Sequence, residues 1–132
     1  MSALRREVGA ITLFVDEVTR SKEFYGRAFA VEPIYEDDDA VAFRLENVIV
    51  NLLRRPAAHE LVEPASVAAA GGGATVLLTL DVGDTDAACR ELAERGVELL
   101  NGPMDRPWGI RSAAFADPDG YVWEVASKLP DA

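Results

Sequence analysis

The sequence predicts an α+β protein made of one strand–helix–strand–strand–strand unit written twice, and three observations predict it. Apolar runs with strand character and one amphipathic helical stretch follow each other in the same order in each half. Sliding one half along the other by 67 positions lays Val82 on Val15 and the two helical stretches on each other. A chain of 132 residues, 49 % of them hydrophobic, suits a single domain (1–132) that buries a core without disulfide staples.

The first unit, about residues 8–53, opens with the run from Ala10 to Val15. Asp16 or Glu17 can cap a helix over Val18 to Phe29, where Val18, Phe24, Tyr25, Ala28 and Phe29 make one apolar face. A short strand is expected at Val31 to Tyr35. Strands follow from Ala40 to Leu45 and from Val48 to Leu53, joined as a hairpin by Glu46-Asn47. The second unit, about residues 75–127, repeats the order with a strand from Thr75 to Val82. Asp84 is a good cap for a helix from Thr85 to Arg95, with Gly96 in the left-handed position that ends it. Strands are expected at Val97 to Leu100, Arg111 to Ala116 and Tyr121 to Ala126, with a tight turn at Asp117-Pro118-Asp119-Gly120. Residues 54–74, with Pro56, Pro64 and the run Ala68-Ala69-Ala70-Gly71-Gly72-Gly73, are expected to form a mobile linker or flap.

Composition excludes several classes of partner. With 13 basic and 23 acidic residues the formal net charge is −10, so neither a nucleic-acid backbone nor an anionic membrane is attracted. A cationic small molecule is compatible with that charge, although solubility alone also accounts for it. No apolar run approaches the roughly 20 residues that span a bilayer, and the first residues lack the apolar stretch of a signal peptide. The single cysteine, Cys89, allows no internal disulfide and suits a reducing cytoplasm, which is the expected location.

Three stretches carry a family resemblance. These are Val15 to Tyr25, ending in Ser21-x-x-Phe24-Tyr25; Pro107-Trp108-Gly109-Ile110-Arg111; and Phe115 to Glu124 around Asp117-Pro118-Asp119-Gly120. In this order and spacing the chain resembles the vicinal-oxygen-chelate superfamily of glyoxalase I, bleomycin-resistance proteins and extradiol dioxygenases. The resemblance implies a glyoxalase/bleomycin-resistance-like fold of two βαβββ modules, forming curved mixed sheets around a cup. It also implies a homodimer. Metal-dependent members draw up to four ligands from four strand positions, which the motifs place here at Ala10, Asn51, Leu77 and Glu124. Glu124 is a good ligand and Asn51 offers only a neutral amide oxygen. The methyl of Ala10 and the isobutyl of Leu77 offer nothing, and a divalent transition ion needs about three or four protein ligands. The expectation is therefore a protein with no metal and no cofactor. The lone histidine, His59, lies in the linker, where it is simply solvated or swings over the cup.

Alternation along the strands puts Ala10, Thr12, Phe14, Ile49, Asn51, Leu53, Leu77, Thr79, Val122, Glu124 and Ala126 on the cup face. The opposite faces are apolar and suit packing beneath helices. Apolar walls with sparse polar points are what a small-molecule site looks like. The candidate ligand-binding residues are Thr12, Phe14, Phe43, Asn51, Thr79, Trp108, Arg111 and Glu124, with Phe115 a further aromatic and Trp108 and Arg111 at the rim. Duller roles stand beside each. Glu124 can pair with Arg111 or Arg44, Trp108 can be core, Asn51 can satisfy backbone groups, and Cys89 is an inert buried thiol. The run Glu36-Asp37-Asp38-Asp39 after Tyr35 is a solvated turn or a lure for a cation. The leading function is metal-free binding of a small organic ligand, as in drug-sequestering members of the family. The alternative is a glyoxalase-like metal-dependent lyase, isomerase or dioxygenase. A third version keeps turnover without metal, with Glu124 as the catalytic proton carrier.

Overall fold

In β1 (Ala10–Val15) the alternate residues Leu13 and Val15 are buried, while Thr12 is exposed and Phe14 half-buried. That two-residue period turns one face of the strand towards packing and leaves the other open. The computed structural model describes residues 3–130 and divides the chain into two units. The first holds residues up to Gly26 with Ala30–Ala68; the second holds Arg27–Phe29 with the rest from Ala69 on.

In the first unit β1 leads into α1 (Val18–Phe29), β2 (Tyr35–Glu36), β3 (Ala40–Arg44), β4 (Ile49–Arg54) and α2 (Arg55–Val62). The sheet order is β1-β4-β3-β2, with β1 parallel to β4 and the other neighbours antiparallel. Val15, Val41, Phe43, Val50, Leu52 and Tyr25 are its fully buried anchors, each contributing roughly 1.5–3 kcal/mol of hydrophobic burial. Helix α1 starts where the sequence places it, but the Glu17 side chain at its cap accepts no hydrogen bond from the helix backbone. The Asp16 carboxylate instead accepts from Arg55 Nε at 2.7 Å.

In the second unit β5 (Leu77–Asp81) is followed by α3 (Thr85–Glu94), β6 (Asn101–Arg106), β7 (Ile110–Ala116) and β8 (Val122–Lys128). The order β5-β8-β7-β6 repeats the first sheet, again with one parallel pair, β5 with β8. Trp123 and Phe115 are buried, and the Phe29 ring meets them edge-on with centroids 5.1 and 6.4 Å away. Asp84 caps α3 by accepting from the Ala87 N–H at 3.1 Å, and Gly96 takes the expected positive φ of 76°. The buried Thr85 hydroxyl gives its one proton to the Arg111 carbonyl at 2.7 Å. The 2.6 Å contact with Ser127 Oγ must then be donated by Ser127. This chain ties the start of α3 to β7 and β8.

The two-module α+β fold is as the sequence predicts, and the differences lie between strands. Within the expected linker the chain forms α2, with Ala58 fully buried; residues 63–76 carry no helix or strand. Pro56 falls in the first turn of that helix, where its missing N–H has no intrahelical partner to lose. Val97 to Leu100 is not a strand; the strand follows it at Asn101–Arg106. The short strand expected to end at Tyr35 instead starts there. Among the described residues no helix is long and apolar enough to cross a membrane.

Candidate functional site

Each parallel strand pair sets one polar contact on the open face of its sheet. In the first sheet Thr12 is in register with Asn51, and the Asn51 amide donates to Thr12 Oγ1 at 3.2 Å. In the second, Thr79 is in register with Glu124, and its hydroxyl donates to Glu124 Oε1 at 2.9 Å. Thr79 stands 67 positions after Thr12, so the two units share the threonine and differ in its neighbour, an amide in the first and a carboxylate in the second.

Glu124 is half-buried and has no ion pair among the described residues, so the duller reading of a salt-bridged strand carboxylate does not hold. Arg111 is committed elsewhere: its Nη2 lies 3.0 Å from Asp86 and its Nη1 2.8 Å from Asp105. The bonds to Asp105, then Asp86, push its pKa up from an already basic value. Register explains why. Ala114 is the β7 partner of Glu124, so Arg111, three residues away, belongs to the opposite face, towards α3. Arg44, the other candidate partner, is exposed and takes no carboxylate among the described residues.

The aromatic candidates separate in the same way. Phe14 is half-buried on the Thr12 face. Phe43 pairs in register with Val50, one residue off the Asn51 face, and lies buried with its ring centroid 6.4 Å from that of Tyr25. Phe115 pairs with Trp123 and is equally buried. Both are core side chains. Trp108, 72 % exposed in the turn between β6 and β7, is not core. Cys89 is buried, and that burial, followed by the charge of Asp86, pushes its thiol pKa up; it stays protonated and unreactive. The acidic run is mostly spent on its own turn. Asp37 accepts from the backbone N–H groups of Asp39 and Ala40 and from the Tyr35 hydroxyl, Asp39 holds Arg54, and Glu36 holds Lys22. The Tyr35 bond, then the Asp39 N–H, lowers the Asp37 pKa, and the same bond raises that of Tyr35. A charged open cleft of about 480 Å³ lies beside the start of α1, lined by Asp16, Glu17, Arg20 and Arg54 among others; Thr12 and Asn51 are not in its wall.

Sequence reasoning missed Asn101 and Arg106. Between the pairs Asn101–Ala114 and Met104–Ser112, β6 uses three residues where β7 uses two. The extra residue is a β-bulge, and it reverses the alternation of everything after it. Met104 and Arg106 therefore join Asn101 on the Ser112–Ala114–Glu124 face. Gly102-Pro103 inside a strand was the available signal, since glycine there marks a bulge or a close backbone approach.

Residues 7–125 match the Glyoxalase/Bleomycin resistance protein/Dioxygenase superfamily. The chain belongs to this superfamily. It is 29 % identical over 123 residues to the uncharacterized protein YraH of Bacillus subtilis (strain 168), covering 90 % of this chain and 96 % of that one. Among solved structures, it superposes on a glyoxalase/bleomycin resistance protein/dioxygenase from Nocardioides with a TM-score of 0.87. The identity is 24 %, over 99 % of this chain and 89 % of that one. A glyoxalase-related enzyme from Fulvimarina pelagi follows at 0.78 and 23 %, over 94 % and 89 %. Likeness at these identities establishes the fold.

The superfamily raises the question of a metal, and the donor set here does not fit one. Of the four positions that the resemblance assigns to ligands, Ala10 and Leu77 carry no donor atom. Asn51 spends its amide N–H on Thr12, leaving a neutral oxygen, and Glu124 already accepts from Thr79. Among the described residues no three His, Cys, Asp or Glu side chains gather around a point. His59 is exposed on α2.

Proposed function

We propose that this superfamily member holds a small organic molecule on the Thr79–Glu124 face and does so without a metal ion, as a sequestering protein. The observation that supports this is the state of Glu124. A half-buried carboxylate with one hydroxyl donor and no cation has acceptor capacity left over, beside the apolar Leu77, Val122, Ala114 and Ala126. A ligand that brings an ammonium or a hydroxyl to Glu124 and lays hydrocarbon on those side chains satisfies both features. The net charge of −10 favours a cationic group there.

The test is thermal unfolding with a panel of cationic, planar and glycopeptide compounds. A ligand at a hundredfold excess over its Kd stabilises by about 2.7 kcal/mol, which raises Tm by several degrees for a chain of this size. At least one cationic compound should do so, and E124Q should remove most of the shift. No shift with any compound ends this reading. If instead E124Q leaves binding intact but abolishes conversion of the compound, Glu124 carries a proton and the protein is a metal-free enzyme.

A further inference from the structure

In a chain with ten more acids than bases, Arg20, Arg54, Arg55 and Arg111 each hold a carboxylate. Arg106 holds none among the described residues, yet its guanidinium is not loose. Its Nε donates to Ser112 Oγ at 2.9 Å and its Nη2 to Asn101 Oδ1 at 2.9 Å, and both acceptors are neutral. Two bonds use two of the five guanidinium N–H donors, so the fork is fixed in place while its charge and three donors stay unspent.

Its position is as specific as its pairing. Register runs Thr79, Glu124, Ala114, Asn101 in one row across β5, β8, β7 and β6. Glu124 and Asn101 are two strands apart, roughly 10 Å at the ordinary strand spacing, with only the methyl of Ala114 between them. Arg106 reaches this row because of the bulge, since residues five apart on a regular strand face opposite ways. The bulge in turn needs Gly102. A Cβ there would stand 2.5 Å from the Ser112 carbonyl oxygen, and the φ of +80° suits glycine alone. The backbone thus accepts an irregularity that places an uncompensated cation on the same face as an uncompensated carboxylate. Arg106 and Glu124 are half-buried and Asn101 is exposed, so the polar groups of this face reach solvent, while the small Ala114 and Ser112 between them are buried.

We infer that Arg106, steadied by Asn101 and Ser112, takes the anionic group of the ligand, a carboxylate or a phosphonate. The ligand is then a small zwitterion or hydroxy acid whose other end reaches Glu124 across Ala114. This rests on the Glu124 reading above and extends it. A planar carboxylate can accept two of the free N–H donors side by side, the geometry in which a guanidinium binds best. Glu124 alone would select for charge only. The pair selects for a ligand with an anion at one end and an ammonium or hydroxyl donor at the other, at a set separation.

The experiment is an NMR titration of the full chain that follows the Arg106 Nε–H and Asn101 Nδ2 signals together with the Thr79 and Glu124 amides. The probes are hexanoate, phenylphosphonate, hexylammonium and 6-aminohexanoate. The carboxylate and phosphonate should move the Arg106 and Asn101 signals, and hexylammonium only those of Thr79 and Glu124. 6-Aminohexanoate should move both sets and bind more tightly than either single-ended alkyl probe. R106Q should weaken the anionic probes by about tenfold or more and leave hexylammonium unchanged. Signals at Arg106 that ignore every anion overturn the inference, as does undiminished anion binding by R106Q. If R106Q fails to fold, the wild-type Arg106 signal decides alone. Failure of hexylammonium at Glu124 would instead count against the reading on which this one builds.

Discussion

A strand's two-residue period decides the role of a side chain by parity, as Phe43 shows, whereas Trp108, in the turn between β6 and β7, escapes that constraint. Phe43 sits one residue from Ala42, the register partner of Asn51, and that single step moves it from the open face to the core. Phe43→Ala should therefore cost about 3–5 kcal/mol in chemical denaturation, as large aromatic truncations in packed cores do. Trp108→Ala should change stability by no more than about 0.5 kcal/mol, because the ring is exposed and touches no other aromatic among the described residues. Equal losses from the two variants would contradict the facing described here. The polar half of the candidate site was legible, because Thr12, Asn51, Thr79 and Glu124 fall on one parity within regular strands. Phe43, Phe115 and Arg111 were misplaced because each stands an odd number of residues from the register partner of Asn51 or Glu124.

At the scale of elements, capping separates the two principal helices. Asp84 bonds the free Ala87 N–H at the start of α3, whereas Glu17 at the cap of α1 makes no side-chain bond to its backbone. Asp84→Ala should destabilise by about 1 kcal/mol, and Glu17→Ala by less than half of that, measured by the same denaturation. A loss at Glu17 as large as at Asp84 would mean that the α1 cap is made after all. Helices α1 and α3 and the strands β1, β3, β4, β5, β7 and β8 could be seen in the sequence because their apolar periods are uninterrupted. Two elements were hidden by breaker residues used in permitted places. Pro56 is in the first turn of α2, where proline removes no helical bond. Gly102-Pro103 lie at the bulge of β6, so the strand signal was assigned to the more apolar Val97 to Leu100 just before it. The same bulge concealed Arg106, so one unread irregularity accounts both for the missed strand and for the missed cation.

For the whole molecule, the superfamily fold was legible because the module is present twice, and a motif order repeated across a chain is far more specific than any one motif. What duplication did not preserve is the donor chemistry. The threonine recurs at the same place in each module, but the strand paired with it offers an amide in one and a carboxylate in the other. A divalent transition ion needs about three or four good donors, and the positions given by the resemblance supply one carboxylate and one amide oxygen. Protein purified without chelators should therefore carry well under one equivalent of nickel, zinc or iron by elemental analysis. EDTA should leave its Tm unchanged, because a metal held only in the folded state, at free concentration M, would stabilise it by RT ln(1 + M/Kd), a contribution that chelation removes. A Tm that falls with EDTA and recovers with one added metal would place catalytic ions back in this chain and remove the reason for treating Glu124 as a ligand-binding group.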